Sequence, residues 1–405
     1  MGDNNKDCMV FGCLYCRLSK ETELSTHHQM RKYILLLITV VLLASCGNKT
    51  AQTLDGGDTI RMKYASLLTL VSHKGYTVAE VKNPWKSGKV LHTYILVPRG
   101  QKAPETDKLP DNATIVETPV RRAAVFTTVH CSLLDMLQRK NCIVAVADVK
   151  YIKLPFIQQQ VKKGRITDCG SGLQPVVERI MDVKPDVIML SPFENSGGYG
   201  KTEELGIPII ECADYMENSP LARAEWMKFY GMLFGAEKEA DNLFATVDNN
   251  YQELCRQARQ AGPGRSVIID KMVGNVWYMP GGKSTIGQMV KDAGGQYPWA
   301  KDDHSGSLSL SFENVLEKGG DADVWLFRYS SNKIFNTADL IGERSGYSQM
   351  NAFKTGELYG CNVEKTLFYE ETPFHPDYLL SDFIHIMHPN LKATGKLRYF
   401  QKLKQ

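Results

Sequence analysis

The chain has 405 residues, which is enough for two lobes of ordinary domain size. Hydrophobic residues make up 43% of it and charged residues 23%, as in an ordinary globular protein. The formal net charge of +3 is too small for a nucleic-acid-binding surface, so no nucleic-acid partner is expected.

The first informative segment is a signal peptide, predicted over residues 30–45. It opens with Arg31 and Lys32 and continues as an apolar run to Leu43. A run this short cannot cross a bilayer as a stable helix, which needs about 20 residues. The ending Leu-Ala-Ser-Cys resembles a bacterial lipobox, so we expect Cys46 to be lipidated and to anchor a lipoprotein. A plain signal peptide, or a short anchor ending in cysteine, is the alternative.

Residues 1–29 precede the place where a signal peptide should start. Because Met30 stands where a start codon is expected, we interpret residues 1–29 as an over-long gene start. The alternative is a zinc site, although the spacing of the cysteines and histidines matches no standard site well. The residues concerned are Cys8, Cys13, Cys16, His27 and His28.

Two segments separate the signal peptide from the main body. Residues 46–57 are polar and contain glycine, which is typical of a flexible tether. Residues 58–118 are predicted to form a small β-rich extension, with a strand at Tyr94–Val97 that is ended by Pro98.

Residues 119–218 alternate short apolar runs with helical patterns, which indicates an α/β lobe. A helix is predicted at Val176–Val183, and Thr127–His130 is expected to be a loop. Strands alternating with helices indicate a mostly parallel sheet with helices on both faces. The predicted strands are Ala123–Phe126, Ile143–Val146, Val187–Leu190 and Ile207–Ile210.

Residues 219–262 show no strand pattern and are predicted to be joining helices. Ser219 and Pro220 form a helix start, because a hydroxyl caps a helix and proline fits its first position. A long second helix is predicted from about Ala236 to Arg259, and Gly262 follows it.

Residues 263–405 repeat the pattern of the first lobe. In the first lobe Glu178 opens a short amphipathic helix and Asp186 precedes a buried strand, and Glu313 and Asp323 stand at the matching points of the second. The predicted fold class is therefore α/β, with two lobes of mostly parallel sheets joined by one long rigid helix.

Six cysteines follow Cys46, and none of them belongs to a CxxC pair. Most are interpreted as small apolar core residues, although an exported protein can form disulfides. They are Cys131, Cys142, Cys169, Cys212, Cys255 and Cys361.

The order of these motifs resembles the helical-backbone solute-binding proteins of ABC importers, which serve iron-siderophores, haem and cobalamin. The resemblance covers about residues 119–390, and the whole chain is similar to the longer lipoproteins of this family from Bacteroidetes-type bacteria. The motifs that carry it are Arg121–Phe126, Pro175–Ile180, Val183–Ile188, Leu205–Ile210 and Ser311–Leu316.

The resemblance implies a monomeric solute-binding component of an ABC importer, held in the periplasm by its lipid anchor. It would capture an iron complex, meaning a ferric siderophore or haem, or cobalamin in a cleft between the lobes. It would deliver this ligand to the permease and its ATPase, with Glu178 and Glu313 contacting permease arginines. Both glutamates open helices, so simple helix capping is the alternative role. No intrinsic cofactor and no enzymatic activity are expected.

Ligand-binding residues should lie in loops that follow strands, as in other open α/β sheets. Tryptophan and tyrosine suit the flat faces of haem or a corrin, and arginine suits an anionic siderophore. His130 could ligate the metal, or it could be a hydrogen-bonded structural histidine. Arg328 could instead pair with a carboxylate. The candidates are Thr128, His130, Tyr151, Trp277, Tyr278, Arg328 and Tyr329.

Three other functions stay open, and one of them is a surface adhesin or scavenger lipoprotein that works without an importer. A free-metal-binding lipoprotein needs three or four convergent ligands, and the candidate loops contain only His130 and Asp148. An enzyme on the same fold is less favoured, because the chain contains no G-x-S-x-G, HExxH or paired CxxC motif. The histidines near the end of the chain are interpreted as structural rather than as a zinc site. They are His375, His385 and His388.

Overall fold

A computed structural model describes residues 56–106, 109–194, 198–391 and 395–404. The predicted signal peptide, Cys46 and the residues before them lie outside these ranges. Among the described residues, none of the helices combines the length and the apolar character that a membrane span requires.

The β-rich extension is a five-stranded sheet whose strands lie side by side in chain order. Neighbouring strands are antiparallel except for the last pair, which is parallel. The predicted strand Tyr94–Val97 is the buried part of a longer strand. The strands are β1 (Asp58–Ile60), β2 (Leu68–His73), β3 (Tyr76–Lys82), β4 (Val90–Pro98) and β5 (Ala113–Thr118).

The first lobe has the predicted parallel sheet, with strand order β10-β9-β6-β7-β8. The strands are β6 (Ala123–Val125), β7 (Ile143–Val146), β8 (Thr167–Asp168), β9 (Val187–Leu190) and β10 (Ile209–Glu211). The helices are α1 (Thr128–Met136), α2 (Pro155–Lys162) and α3 (Val177–Val183). Short 3-10 turns lie at Lys140–Cys142, Val149–Tyr151, Gly200–Leu205 and Ala213–Met216.

One local prediction in this lobe is wrong: Thr127–His130 is not a loop. The Thr127 side chain accepts a hydrogen bond from the His130 N–H and caps α1. Because the cap begins a helix directly after β6, Thr128 and His130 lie in its first turn. The side chain of His130 is therefore directed by the helix and not by a flexible loop.

The joining segment consists of α4 (Pro220–Glu225), α5 (Met227–Phe234) and α6 (Glu237–Ala261). Ser219 caps α4 as predicted, by accepting the N–H of Ala222. The third helix has 25 residues and so spans about 38 Å at 1.5 Å per residue. One of its faces is buried, and along the chain it connects the first lobe to the second.

The second lobe has a sheet of order β11-β15-β16-β17, parallel except for its last strand, and a separate antiparallel three-stranded sheet. The first sheet contains β11 (Val267–Ile269), β15 (Val324–Tyr329), β16 (Leu358–Asn362) and β17 (Phe400–Lys402). The second contains β12 (Met272–Val273), β13 (Val276–Pro280) and β14 (Ser307–Leu310). The helices are α7 (Thr285–Asp292), α8 (Phe312–Gly319), α9 (Thr337–Glu343), α10 (Asn351–Thr355), α11 (Phe368–Glu371) and α12 (Pro376–Met387), with a 3-10 turn at Ser345–Gln349.

The internal repeat is visible in the hydrogen bonds between an aspartate of each lobe and the opening strand of that lobe. Asp186 Oδ2 accepts the N–H of Arg121 at 2.8 Å and of Arg122 at 3.1 Å. Asp323 Oδ2 accepts the N–H of Ser266 at 2.8 Å. The two aspartates thus hold the opening strand of each lobe against the strand that follows them, which confirms that the lobes share one pattern.

The six cysteines in the described ranges are all free thiols, and five of them are buried. Cys142 is half-buried. This confirms the interpretation of most of them as small core residues.

Two buried carboxylates fix the extension to the start of the joining segment, one just before α4 and one in α4. Glu225 accepts the three backbone N–H groups of Lys63–Ala65 at 2.7–2.9 Å. Glu217 accepts the N–H groups of Ser66–Leu67 and, at 2.9 Å, the indole N–H of Trp226. Residues 63–67 lie between β1 and β2, so these carboxylates satisfy donors that the sheet leaves without partners.

Electrostatics supports this attachment. Burial alone would raise the pKa of Glu225, but the backbone donors and Lys228 outweigh it and hold that pKa below its ordinary value. Asp248 of α6 also accepts hydrogen bonds from Lys63 Nζ at 2.6 Å and Tyr64 Oη at 2.7 Å. The extension is thereby joined to the long helix as well as to α4.

Glu225→Ala should destabilise the protein, because it leaves three partly buried backbone N–H groups without their acceptor. We expect the free energy of unfolding to fall by roughly 3 kcal/mol, as for loss of charge-assisted hydrogen bonds. Urea unfolding measures this change. The control is Glu253→Ala, which removes an exposed carboxylate of α6 and should leave the midpoint nearly unchanged. Equal midpoints for both variants would contradict the attachment role.

Candidate functional site

A cavity of about 250 Å³ lies between the lobes. Its walls come from α1 of the first lobe, α4 of the joining segment, and α7, β15, α11 and α12 of the second lobe. Its charged lining residues are Arg223 and Arg328, and Tyr369 is an exposed aromatic residue beside them. The remaining lining is mainly apolar and includes Val129, Ile286 and Met289. Two arginines and a tyrosine therefore meet over an apolar floor in this cavity.

A larger cavity of about 750 Å³ lies in the first lobe, at the carboxyl ends of β6, β7 and β9. Phe126, Asp148 and Ser191 line it directly after these three strands. The connections leave β6 and β9 toward opposite sides of the sheet, which is where open α/β sheets commonly bind ligands. Leu173 and Phe193 line the same cavity and are largely exposed.

Arg328 combines the two roles considered for it. It lines the cavity between the lobes, and it is also paired with a carboxylate. Its Nε lies 2.9 Å from Asp270 Oδ1 and its Nη2 lies 2.5 Å from Asp270 Oδ2. The guanidinium carbon is 5.8 Å from the ring centre of Tyr369. This bidentate pair fixes the plane of the guanidinium group.

Arg223 is held by a buried network centred on Asp214. Asp214 Oδ2 accepts the Arg223 Nε–H at 3.0 Å. Asp214 Oδ1 lies 3.0 Å from His130 Nε2 and accepts the Tyr230 hydroxyl at 2.9 Å. The other ring nitrogen of His130 contacts Thr127 Oγ1. Both nitrogens of the imidazole are therefore engaged, and the side chain is almost fully buried.

The protonation of this network follows from its charges. Burial disfavours the imidazolium, but the Cys212 side chain and the Asp214 carboxylate outweigh it and raise the pKa of His130 to about 10. Burial disfavours the carboxylate, but His130 and Arg223 lower the pKa of Asp214 to about 2. An imidazolium has no lone pair for iron or cobalt and cannot accept a proton as a general base. The geometry favours the structural role of His130 over metal ligation.

Thr128 takes part in a contact between the lobes. Its hydroxyl donates to Glu370 Oε1 at 3.1 Å, and the N–H of Lys153 donates to the same oxygen at 3.2 Å. The ammonium group of Lys153 also pairs with Glu364. Because Glu370 and Glu364 belong to the second lobe, these contacts hold the two lobes together at one side of the cleft.

The prediction that Trp277 lines the cleft is corrected by the structure. Trp277 is fully buried, and its indole N–H donates to the carbonyl of Ile269 at 2.9 Å. Its ring packs against Trp325 with 5.5 Å between centres. Tyr278 is 48% exposed, because successive residues of a strand point to opposite faces. Only Tyr278 of this pair is accessible to a ligand.

The same alternation separates Arg328 from Tyr329. Tyr329 stacks on Phe335 at 4.6 Å and lines a different hollow, so it is not part of the cavity between the lobes. Tyr151 lies in a 3-10 turn after β7 and is 62% exposed, with the Lys150 ammonium 4.7 Å from its ring centre. It lines neither of the two cavities described above.

Two lining residues were missed by the sequence analysis. Arg223 lies in α4, which the sequence pattern assigns to the joining helices and not to the cleft. Tyr369 lies in α11, whose four residues are too short to give a helical pattern. The adjacent aromatic residues Phe368 and Tyr369 were the available signal, but nothing in their spacing distinguishes a cleft from a core position.

Glu178 and Glu313 occupy equivalent places in the two lobes. Each lies in the first turn of a helix, α3 or α8, and each is exposed. The pKa of Glu313 is lowered by a hydrogen bond with its own backbone N–H and by Ser311. An exposed carboxylate in a first helical turn is available for pairing with an arginine of another protein.

Within the described ranges, no group of three or more His, Cys, Asp and Glu side chains is placed to hold a metal ion. The ring of His375 lies 3.2 Å from Asp377 Oδ1 and stacks on Tyr378. The ring of His388 lies 2.8 Å from the carbonyl oxygen of Ala293. These contacts agree with the structural interpretation of both residues.

The His130–Asp214 pair should make stability depend on pH. A raised histidine pKa gives stability that is fully present below 6.5 and is lost as the pH rises through about 10. His130→Gln should therefore show a smaller fall in the urea midpoint between pH 6.5 and pH 10 than the parent. The control is His304→Gln, which changes an exposed histidine. An identical pH dependence in His130→Gln and the parent would rule out the charged pair.

Comparison with known proteins identifies the family. The family model described as periplasmic binding protein matches residues 133–364, which is more than half of the chain. An uncharacterized lipoprotein of Methanocaldococcus jannaschii is 24% identical and matches over 84% of this chain and 85% of its own. Because the match covers 84% of this chain, the residues outside it are too few to include all of residues 1–118. The match therefore includes part of the β-rich extension.

Two further relatives have named ligands. The petrobactin-binding protein YclQ of Bacillus subtilis is 21% identical, over 81% of this chain and 90% of its own. The crystal structure of a periplasmic heme binding protein from Pseudomonas aeruginosa aligns with a TM-score of 0.54 and 14% identity, over 71% of this chain and 99% of that one. The likeness confirms a fold of two lobes joined by helices, and the chain belongs to the periplasmic binding protein family.

Proposed function

We propose that this chain captures a metal chelate in the cleft between its lobes and delivers it to the permease and ATPase of an ABC importer. The observation that carries the proposal is the cavity between the lobes, where two arginines and a tyrosine meet over an apolar floor. Iron chelates and haem are the first ligand class, because relatives of this fold include a petrobactin-binding and a heme binding protein. Cobalamin is the second class.

Capture in this fold needs only a limited movement of the lobes. The buried face of α6 and its contacts with the extension oppose bending of the joining segment. Closure is therefore expected to consist of small shifts about the contacts of Thr128 and Lys153 with Glu370. A site that is nearly preformed loses less conformational entropy when the ligand binds.

The place of action follows from the N-terminal segment. The lipobox cysteine, Cys46, would carry the lipid and hold the monomeric protein to the membrane on the periplasmic side. A relative of matching length is also named a lipoprotein, which supports this location. The polar residues that follow Cys46 would act as the tether.

Binding should be detectable by calorimetry with haem, a set of ferric siderophores and cobalamin, each titrated into residues 47–405. We expect one-to-one binding of a member of this set. Tyr369→Ala should weaken it about tenfold, because a cavity aromatic contributes roughly 1 kcal/mol beyond its buried area. Tyr76→Ala, in the extension, is the control and should leave affinity unchanged. Absence of binding to every compound would refute the proposed function.

Docking to the permease should depend on the two exposed glutamates. The double change Glu178→Ala and Glu313→Ala should lower uptake of the bound chelate at least tenfold while leaving its affinity for the protein unchanged. The matched control is Asp182→Ala with Glu317→Ala, which removes exposed carboxylates from the same two helices. Uptake is measured in cells that carry the cognate permease and ATPase. Intact uptake with the first pair would mean that the glutamates only cap their helices.

A further inference from the structure

A hollow of about 180 Å³ lies on the second lobe, on the side of β15 that faces away from the cavity between the lobes. Tyr329 lines this hollow and the neighbouring Arg328 lines that cavity, because successive residues of a strand point to opposite faces. The other walls come from β16, β17 and the loop of residues 333–335. Four lysines line this lysine hollow, namely Lys333, Lys365, Lys402 and Lys404.

The floor of the lysine hollow is fixed by close packing. The ring of Tyr329 stacks on Phe335 with 4.6 Å between centres. A Cβ atom at Gly360 would lie 2.7 Å from the Tyr329 ring and 2.8 Å from Leu403, so a larger residue there would displace both side chains. The hollow therefore keeps its shape through contacts that do not involve the four lysines.

The charges of the lysine hollow are not balanced within the protein. Lys402 pairs with Glu357. The ammonium groups of Lys333, Lys365 and Lys404 contact no carboxylate in the described part of the chain, and its acidic residues contribute nothing to the lining. The chain as a whole is nearly balanced, with 48 basic and 45 acidic residues. A concave surface with three unpaired cations attracts anions.

The acidic residues that neighbour these lysines in sequence have other partners. Glu364 pairs with Lys153 of the first lobe. Asp339 accepts the N–H of Asn336 at 2.9 Å and caps α9. The lysines therefore gain no counter-ion from these two acids, and an anion that neutralises them has to come from another molecule.

An exposed isoleucine stands among the lysines. Ile334 also lines the hollow, and 75% of its surface is exposed. Single exposed apolar residues are common on proteins, so Ile334 is informative only together with the lysines around it. An apolar side chain flanked by lysines suits a membrane surface, because the apolar group enters the head-group boundary while the ammonium groups meet anionic lipids.

The expected lipid anchor favours a membrane over other anionic partners. A chain extended from Cys46 to residue 57 spans about 40 Å, so a lipidated protein would stay close to the head groups of its own membrane. Such closeness raises the effective concentration of the lipid at a weak site. Because the lysine hollow and Arg328 lie on opposite sides of β15, contact at the hollow leaves the cavity between the lobes uncovered.

We propose that the lysine hollow and Ile334 form a surface that rests on the membrane, with the phosphate of an anionic phospholipid in the hollow. This contact would orient the tethered protein on the bilayer. The inference goes beyond the proposed function, and its tests contain no chelate, so either can fail without the other.

The first test measures how residues 47–405 partition onto vesicles of phosphatidylglycerol and onto vesicles of phosphatidylcholine. Residues 56–405 form one compact unit, so this chain keeps the whole described fold and lacks the lipidated cysteine. We expect about 20-fold stronger partition onto the anionic vesicles, which weakens as the salt concentration rises. Equal partition onto both kinds of vesicle would overturn the inference and leave the hollow to an acidic protein surface.

A triple variant tests the lysines. Lys333→Gln with Lys365→Gln and Lys404→Gln should lower partition onto phosphatidylglycerol about tenfold, because each lysine near an anionic surface contributes separately. The matched control removes the same charge from exposed positions elsewhere, through Lys162→Gln, Lys163→Gln and Lys238→Gln. Its partition should stay within twofold of the parent. Equal losses in the two triple variants would mean that only net charge matters, which contradicts a specific surface.

Two further measurements test the isoleucine and the source of the phosphate. Ile334→Ser should lower partition about fivefold, whereas Val273→Ser, at another apolar residue that is 67% exposed, should leave it unchanged. Equal effects of the two changes would contradict insertion of Ile334. Calorimetry with inorganic phosphate separates a lipid head group from a soluble anion. Phosphate binding that the lysine variant abolishes, without any binding to vesicles, would assign the hollow to a soluble phosphate and overturn the inference.

Discussion

The structure depends on the hydrogen bonds that the backbone N–H groups of a short segment between β1 and β2 donate to two carboxylates. Residues 63–67 belong to no strand, and their N–H groups are accepted by the carboxylates of Glu217 and Glu225. Loss of these acceptors would cost several kcal/mol in total, so both side chains are needed in place. Glu225 thereby attaches the extension to α4, and Asp248 attaches it to α6.

A second consequence concerns the cleft itself. The two arginines that line the cavity between the lobes both have carboxylate partners within the protein. Because Asp214 and Asp270 already occupy Arg223 and Arg328, the protein keeps its charges fixed without a ligand.

Much of the fold could be predicted from the sequence because it rests on local patterns. The buried strands Ile143–Val146 and Val187–Leu190 and the long helix after Gly235 were placed within one or two residues of their observed bounds. The spacing of hydrophobic residues along the chain predicts such elements. The antiparallel sheet of β12 to β14 was not foreseen, because its strands are short and its register depends on pairing between distant residues.

The candidate site was harder to predict because it depends on side-chain direction. Arg328 lines the cavity between the lobes, but Trp277 is buried, since a one-residue change along a strand moves a side chain to the opposite face. Arg223 was not predicted as a cavity residue because it lies in α4, whose sequence pattern indicates only a joining helix. Its role follows from the meeting of α4 with α7 and β15, which no local pattern encodes.

Because of the repeated aspartates, the two ends of β9 and of β15 differ in how well they tolerate substitution. Asp323 stands at the start of β15 and secures the neighbouring strand, whereas Arg328 stands near its other end and faces the cavity. In the first lobe, Asp186 and Ser191 flank β9 in the same way. Substitutions at the cavity end therefore leave the strand-holding hydrogen bonds untouched. The cavity residues at these strand ends can therefore vary without loss of the hydrogen bonds that start each sheet.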